Sequence, residues 1–231
     1  MIPVKPWLLE ILACPIDKHY PLSLSIFKIE DGDEFSKKVG NIEAMKKDLS
    51  FFFKNTMENE DSETNAEVPV INLDDTSGAL LVFDTLVRKP STAVQYLEQI
   101  VASIDELKPI QDSSGNDVKS TIETLLEFRS EVTSALDAVK EAIEEPETQK
   151  QKILELEDKL ILLNWFKQAV EIEAGVITCT ECNRWYPIRD TIPQMLPDEL
   201  RKEKYDKNFL ETWSSLLDDS ILKDGNPFHL D

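Results

Sequence analysis

Three cysteines sit at opposite ends of this chain, and their spacing constrains its fold more than any other feature. Cys179-Thr180-Glu181-Cys182 is a C-x-x-C pair, and Cys14-Pro15-Ile16-Asp17 repeats that spacing near the start with Asp in the last place. Two thiolates separated by two residues on a tight turn can point at one metal ion. A redox pair of the same spacing would need a βαβ setting with the motif opening a helix, and here strand-like residues lie on both sides. Cys14, Asp17, Cys179 and Cys182 together make a candidate tetrahedral zinc set, with His19 as a substitute for Asp17. The competing reading is that Cys14 is a small buried apolar residue and no metal is held. If the pairs share one site, the two chain ends meet and everything between them is an insertion. Closing so long a loop adds only about 0.6 kcal/mol per doubling of its length.

The chain has 231 residues and a net charge of -20. Residues 30–168 hold 30 acidic and 15 basic side chains, so most of the excess acid lies in the middle. That balance argues against general phosphate-backbone binding and against docking on anionic membranes. Three cysteines exclude a disulfide-dense secreted scaffold. No stretch approaches the ~20 apolar residues of a spanning helix. Ile11-Leu12-Ala13-Cys14 looks like a lipoprotein processing site, but Pro6 and Glu10 break the apolar run before it. The expectation is a cytoplasmic protein with reduced thiols.

The ends read as strands and the middle as helices. Leu22, Leu24 and Ile26 alternate, as do Val170 and Ile172, with Gly175 read as a turn into Val176-Ile177-Thr178. Tyr186-Pro187-Ile188 and Ile192 to Leu196 are further extended segments. In the middle, Val39, Ile42, Leu49 and Phe52-Phe53 fit one helix face, and Val94, Leu97, Val101, Ile104 and Leu107 a second. Ser120 and Glu123 have capping-box spacing and open a third helix carrying Leu126, Arg129, Val132, Leu136, Val139 and Ile143. Ile153, Leu156, Leu160 and Leu163 form a fourth after Pro146, antiparallel helices being favoured over a long coiled coil. Glu58 to Asp75 reads mostly as an acidic loop, with Val68-Pro69-Val70-Ile71 as a short edge strand. Asp112 to Asn116 reads as a second loop, and Tyr205, Phe209, Trp213, Leu216 and Leu217 as a final helix. The expected class is α+β: a small zinc-ribbon-like β domain from residues 1–30 and 168–200, an inserted acidic all-α helical bundle at 31–167, and a C-terminal helix and tail at 201–231.

Two blocks carry a family resemblance. The first is Trp7-Leu8-Leu9-Glu10-Ile11-Leu12-Ala13-Cys14-Pro15-Ile16-Asp17-Lys18, leading into Pro21-Leu22-Ser23-Leu24. The second is Gly175 to Ile188, with Cys179-Thr180-Glu181-Cys182-Asn183-Arg184-Trp185-Tyr186-Pro187-Ile188, followed by Ile192-Pro193-Gln194-Met195-Leu196-Pro197. The chain resembles the multifunctional methyltransferase activator subunit, a small zinc-finger-like partner of several S-adenosylmethionine-dependent methyltransferases in archaea and eukaryotes. The resemblance implies a non-catalytic subunit. It would bind methyltransferases that modify tRNA, ribosomal RNA or a release factor, by adding a strand to their sheet. Carried over, it puts Ile188, Ile192, Pro193, Gln194, Met195 and Leu196 at the interface, with Trp7, Leu8 and Leu9 beside them. The one cofactor implied is structural zinc, and Asp17 stands where zinc-binding members have Cys. The insertion and the tail are longer than the family leads one to expect.

Two other readings compete. Arg184, Trp185, Tyr186 and Arg189 offer cations and stacking rings for a free-standing RNA-binding zinc ribbon. The acidic insertion could itself be an adaptor. The chain carries no G-x-G-x-x-G, P-loop or G-x-S-x-G motif that would suggest catalysis.

Overall fold

The computed structural model describes residues 4–56, 67–75, 78–113 and 117–230. The elements in chain order are β1 (Ser23–Ile29), α1 (Gly32–Lys38), α2 (Ile42–Thr56), β2 (Val70–Leu73), β3 (Leu80–Phe83), β4 (Ser91–Thr92), α3 (Ala93–Asp105) and β5 (Ile110–Asp112). Then follow α4 (Asp117–Glu141), α5 (Pro146–Leu154), α6 (Glu157–Ala169), β6 (Ile172–Thr178), β7 (Trp185–Arg189), β8 (Ile192–Pro193), α7 (Glu203–Thr212) and α8 (Asp219–Asp224). A 3-10 helix, Pro6–Ile11, precedes β1, and a second, Asp198–Leu200, follows β8. The class is α+β, and no helix among the described residues is long and apolar enough to cross a membrane.

The chain divides into two compact units. The first comprises Met1–Gly32, Pro109–Ser120 and Val170–Asp231, and the second Asp33–Lys108 and Thr121–Ala169. In the first, a five-stranded sheet runs β5-β1-β6-β7-β8, antiparallel except for the β1–β5 pair. The alternation read at Leu22, Leu24 and Ile26 is realised, since all three are buried. Strand β5 lies inside the segment expected to be all insertion. It belongs to the first unit because Leu24, Ser25 and Ile26 pair with Ile110, Gln111 and Asp112.

Gly175 is no turn. It sits mid-strand in β6 opposite Ile26, where a β-bulge shifts the register so that Lys28 pairs with Ala174. A Cβ there would lie 2.6 Å from the Ser25 carbonyl oxygen, so glycine is required by close backbone approach. Gly175→Ala is expected to destabilise the first unit by about 2–4 kcal/mol, the cost of overpacking against a fixed backbone. Chemical denaturation followed at the tryptophans checks this; a shift below about 1 kcal/mol would mean the ladder gives way without cost.

One face of this sheet is covered by the chain's own C-terminus. Phe27, Ala174, Val176 and Trp185 pack with Phe209, Leu210, Leu217 and Ile221. The rings of Trp185 and Phe209 stack with centroids 5.9 Å apart, and Phe27 lies 5.4 Å from Trp213. The tail expected as one helix is two, α7 and α8, and it is a layer of the first unit rather than an appendage.

The second unit is mostly helical but not all-α. Strands β2, β3 and β4 form a three-stranded antiparallel sheet. Of the edge strand read at Val68-Pro69-Val70-Ile71, the last two residues open β2, which runs to Leu73, while Val68 and Pro69 precede it; Leu80–Phe83 is an apolar run too short to show a period. The helix read from Val39 to Phe53 is broken at Gly40, whose φ of +80° turns the chain between α1 and α2. The side chains of Phe52 and Phe53 lie outside the described residues. So do 57–66 of the acidic loop and 114–116 of the second loop.

Helix α4 opens at Asp117, so Ser120 lies inside it and its hydroxyl donates to the Asp117 carbonyl rather than capping. Its buried residues include Ile122, Leu125, Phe128, Val132, Leu136 and Val139; Leu126 is only half-buried and Ile143 is exposed. Ile153, Leu156, Leu160 and Leu163 are all buried, but Ile153 is on α5, Leu160 and Leu163 are on α6, and Leu156 lies in the turn between the two helices.

A buried polar knot holds this unit. Asp84 accepts from the Tyr96 hydroxyl (2.8 Å), Asn164 Nδ2 (2.9 Å) and the backbone N–H groups of Leu86 and Val87 (2.8 and 2.7 Å). A carboxylate so surrounded satisfies its lone pairs without a cation.

Candidate metal centre and docking edge

The two short loops bearing the cysteines are built alike. In the first, the Lys18 N–H donates to the Cys14 carbonyl (3.0 Å), the Cys14 N–H donates to the His19 carbonyl (3.0 Å), and Lys18 has φ +65°. In the second, the Cys179 N–H donates to the Arg184 carbonyl (2.8 Å) and Asn183 has φ +55°. Lys18 and Asn183 each follow the fourth residue of their motif, so each loop closes by one left-handed step. Asn tolerates that conformation well and Lys poorly. Strands β1, β6 and β7 carry both loops to the same end of the sheet, where Ser23 pairs with Thr178 and Thr178 with Trp185.

The result brings Cys14, Asp17, Cys179 and Cys182 together, with one donor atom from each lying within 4.8 Å of the others. Cys14 Sγ is 3.7 Å from Cys182 Sγ, and Cys179 Sγ is 3.4 Å from Asp17 Oδ2. A tetrahedral zinc ion with Zn–S near 2.3 Å requires S···S edges of about 3.8 Å and S···O edges of about 3.5 Å. Both separations fit, and three thiols with one carboxylate are a donor set zinc accepts. His19 is not part of this cluster. Its backbone N–H donates to Asp17 Oδ1 (2.9 Å), which leaves Oδ2 for a metal, and its ring lies 3.4 Å from the Thr180 hydroxyl.

Charge within the cluster is uneven. Cys14 and Cys179 are buried, Cys182 is half-buried and Asp17 is exposed. Desolvation pushes the Cys179 thiol up to about 12 and raises Cys182 as well. The His19 N–H, then the Cys182 and Cys14 thiols, hold Asp17 well below the usual carboxylate range. A divalent cation is therefore the natural agent to draw protons from the buried thiols, and binding it releases them.

Two neighbours tune the centre. The Tyr186 hydroxyl lies 3.2 Å from Cys14 Sγ; burial and the Cys14 contact keep it protonated, so it donates to a Cys14 thiolate. Arg184, held by Asp198 at 2.8 Å, lies beside Cys182. Three thiolates and a carboxylate around Zn²⁺ would carry an excess of two negative charges, which this O–H donor and this guanidinium would offset. Tyr186→Phe is expected to lower zinc affinity about tenfold, at the low end for loss of an outer partner. A competition titration with a chromophoric chelator reads this, and unchanged affinity would remove Tyr186 from the site.

The tail also braces the second loop, which the sequence reading missed. Asn183 Nδ2 donates to the Asp224 carbonyl (2.8 Å), Asn226 Nδ2 to the Cys182 carbonyl (3.2 Å) and the Asn226 N–H to the Asn183 carbonyl (2.9 Å).

The residues carried over as an interface fall into two groups. Leu9 and Ile188 are buried and serve the unit's own core. Trp7, Leu8, Ile192, Pro193, Gln194 and Met195 are half-buried, and Leu196 is 40% exposed. Strand β8 is short and forms one edge of the sheet. It is joined to β7 by a two-residue turn, Asp190-Thr191, with both φ positive (50° and 63°), the geometry of a type I′ hairpin. Arg189 pairs with Ile192 and the Gln194 N–H donates to the Pro187 carbonyl (2.9 Å), so the alternating groups of Pro193 and Met195 face away from β7. Among the described residues nothing bonds the Pro193 carbonyl or the Met195 N–H.

A family model described as Trm112p-like protein matches residues 5–190. The chain belongs to the Trm112p-like family. This is the methyltransferase-activator family whose likeness the two cysteine blocks carry. The match takes in both cysteine loops and the insertion, and it stops at the β7–β8 turn, so the tail of this Trm112p-like chain lies beyond it. No curated protein and no solved structure matches the chain.

Proposed function

We propose that this chain is a non-catalytic activating subunit that binds S-adenosylmethionine-dependent methyltransferases acting on tRNA, ribosomal RNA or a release factor. Membership of an activator family over residues 5–190 carries the reading. The free Pro193 carbonyl and Met195 N–H support a strand from the partner being added at β8. Pro193 has no N–H, so the register is short and polar in one sense only. Ile192 and Met195 flank it as apolar anchors, and Met adapts to partners of different shape. Zinc, held by Cys14, Asp17, Cys179 and Cys182, would act as a structural staple joining the two chain ends.

The test is co-expression with methyltransferases of the same organism in the cytoplasm of a bacterial host. At least one is expected to co-purify in a one-to-one complex and to gain solubility, methyl-donor affinity or turnover. The proposal fails if none binds and none changes in these properties.

The free-standing RNA-binding reading loses its stacking platform. Trp185 and Tyr186 are both 0% exposed, Arg184 is tied to Asp198, and Arg189 to Asp206 at 3.2 Å. Any contact with RNA then belongs to the partner enzyme.

A further inference from the structure

The segment after β8 exposes large apolar side chains on a backbone that is firmly held. Leu196 is 40% exposed, and Leu200 and Tyr205 are each 60% exposed. Exposed apolar residues on a mobile loop would carry little meaning, but this segment is fixed at many points. The Leu200 N–H donates to the Pro197 carbonyl (3.0 Å), and the Arg201 N–H to the Asp198 carbonyl (3.1 Å). Arg184 clasps the Asp198 carboxylate. Arg201, whose side chain is 2% exposed, bonds Asp206 at 2.9 Å and lies 4.4 Å over the Trp185 ring. These contacts forbid the apolar groups from folding inward, so they stay presented to solvent.

The same segment is joined to the docking edge through one guanidinium. Arg189, the residue before the β7–β8 turn, donates to Gln194 Oε1 (3.3 Å) and to the Tyr205 carbonyl (2.8 Å), and lies 5.2 Å over the Phe209 ring. Gln194 is the residue between Pro193 and Met195, whose free backbone groups form the edge. The backbone at Tyr205 is therefore tied to the hairpin that carries the docking edge. A preformed apolar surface next to an interface adds to binding without an ordering cost.

We infer that Leu200 and Tyr205 extend the docking surface, and that a methyltransferase seated on β8 also covers them. Both residues lie beyond the family match at 5–190. The inference rests on the proposed function: the occupant is the same methyltransferase, and the apolar run continues the edge it is proposed to use. An aromatic and a leucine next to a backbone-bonded edge supply the desolvated anchors that dominate binding energy.

The methyltransferase that co-purifies with the wild-type chain, isolated and titrated calorimetrically, is the probe. Leu200→Glu and Tyr205→Glu are each expected to weaken binding about tenfold, and together about a hundredfold. Ser220→Glu, exposed on α8 beside the cysteine loops, adds the same charge elsewhere and should leave affinity unchanged. Near-ultraviolet dichroism of Trp185 and Trp213 should match wild type in all three. Changes below threefold in both Leu200→Glu and Tyr205→Glu, with binding to wild type intact, overturn the inference and leave the proposed function standing. If no methyltransferase binds the wild-type chain, the proposed function fails and this inference falls with it. A wild-type dimer that Leu200→Glu dissociates also overturns it, by assigning the surface to a second copy.

Discussion

Replacing Cys182 by serine is expected to strip the chain of zinc and to lower the stability of the first unit by several kcal/mol, although Cys182 is only half-buried. The comparison with Cys179→Ser gives this result its meaning. Cys179 is 1% exposed, so its replacement by a hydroxyl costs about 1–3 kcal/mol through desolvation alone, metal or no metal. Cys182 is only half-buried, so its desolvation is smaller, and without a metal its substitution should cost well under ~1 kcal/mol. A bound zinc makes the two variants alike, because each removes one of four ligands from a centre whose binding energy is also folding energy. Elemental analysis should find about one zinc per wild-type chain and almost none in either variant. A near-neutral Cys182→Ser with no zinc in the wild type would leave the two loops as metal-free turns.

The pH dependence of the same centre has a definite sign. Burial holds the thiols of Cys179 and Cys182 in their protonated form, so zinc must displace those protons. Zinc affinity should fall as pH falls, by about tenfold per unit for each proton displaced, between pH 8 and 6. Asp17 adds no step in that window because it is held ionised far below it. Without metal the slope reverses. The raised thiol values contribute stability that is present below the unfolded value of about 8.5 and is lost as pH rises from there towards 12. Thermal unfolding across pH with and without a chelator should show these opposite trends, and parallel curves would exclude a metal.

Met195→Pro is expected to weaken methyltransferase binding a hundredfold or more while leaving the fold intact. The substitution removes one N–H, and that N–H faces away from β7, so no internal bond is lost. The Leu196 N–H donates to the Gln194 carbonyl (3.0 Å), a three-residue turn about Met195 whose usual φ of about −75° suits proline. A sheet-edge contact, in contrast, loses a main-chain bond and meets a ring where the partner strand should lie. Met195→Leu keeps the N–H and the apolar volume and should bind nearly as wild type. Equal binding by Met195→Pro and wild type would remove β8 as the docking edge.

Local chemistry made some of this legible and hid the rest. The two cysteine loops could be read because each is complete within five residues and their spacings agree. The strand at Leu22–Ile26 could be read because one face is buried and period two follows. Gly175 was misread because what demands glycine there is Ser25, 150 residues away, approaching to within van der Waals contact. Ser120 was misread as a cap because a capping box is only a spacing, and the helix had already begun at Asp117. On α4 the choice of Leu125 and Phe128 over Leu126 as core depends on what packs against the helix, which periodicity alone leaves one residue uncertain. Strand β3 escaped because four consecutive apolar residues carry no period.

From its sequence alone, this chain has two matched cysteine loops of metal-ligand spacing, an acidic helical insertion between them and a family. Those features are local or compositional, and short-range geometry suffices to define them. Only the tertiary structure decided that Asp17 rather than His19 completes the cluster, that β5 joins the first unit and that the tail covers the sheet and braces the second loop. It also decided which backbone groups of Pro193 and Met195 stay free. Each of these depends on groups far apart in sequence meeting within a few ångströms, and no spacing along the chain encodes that distance.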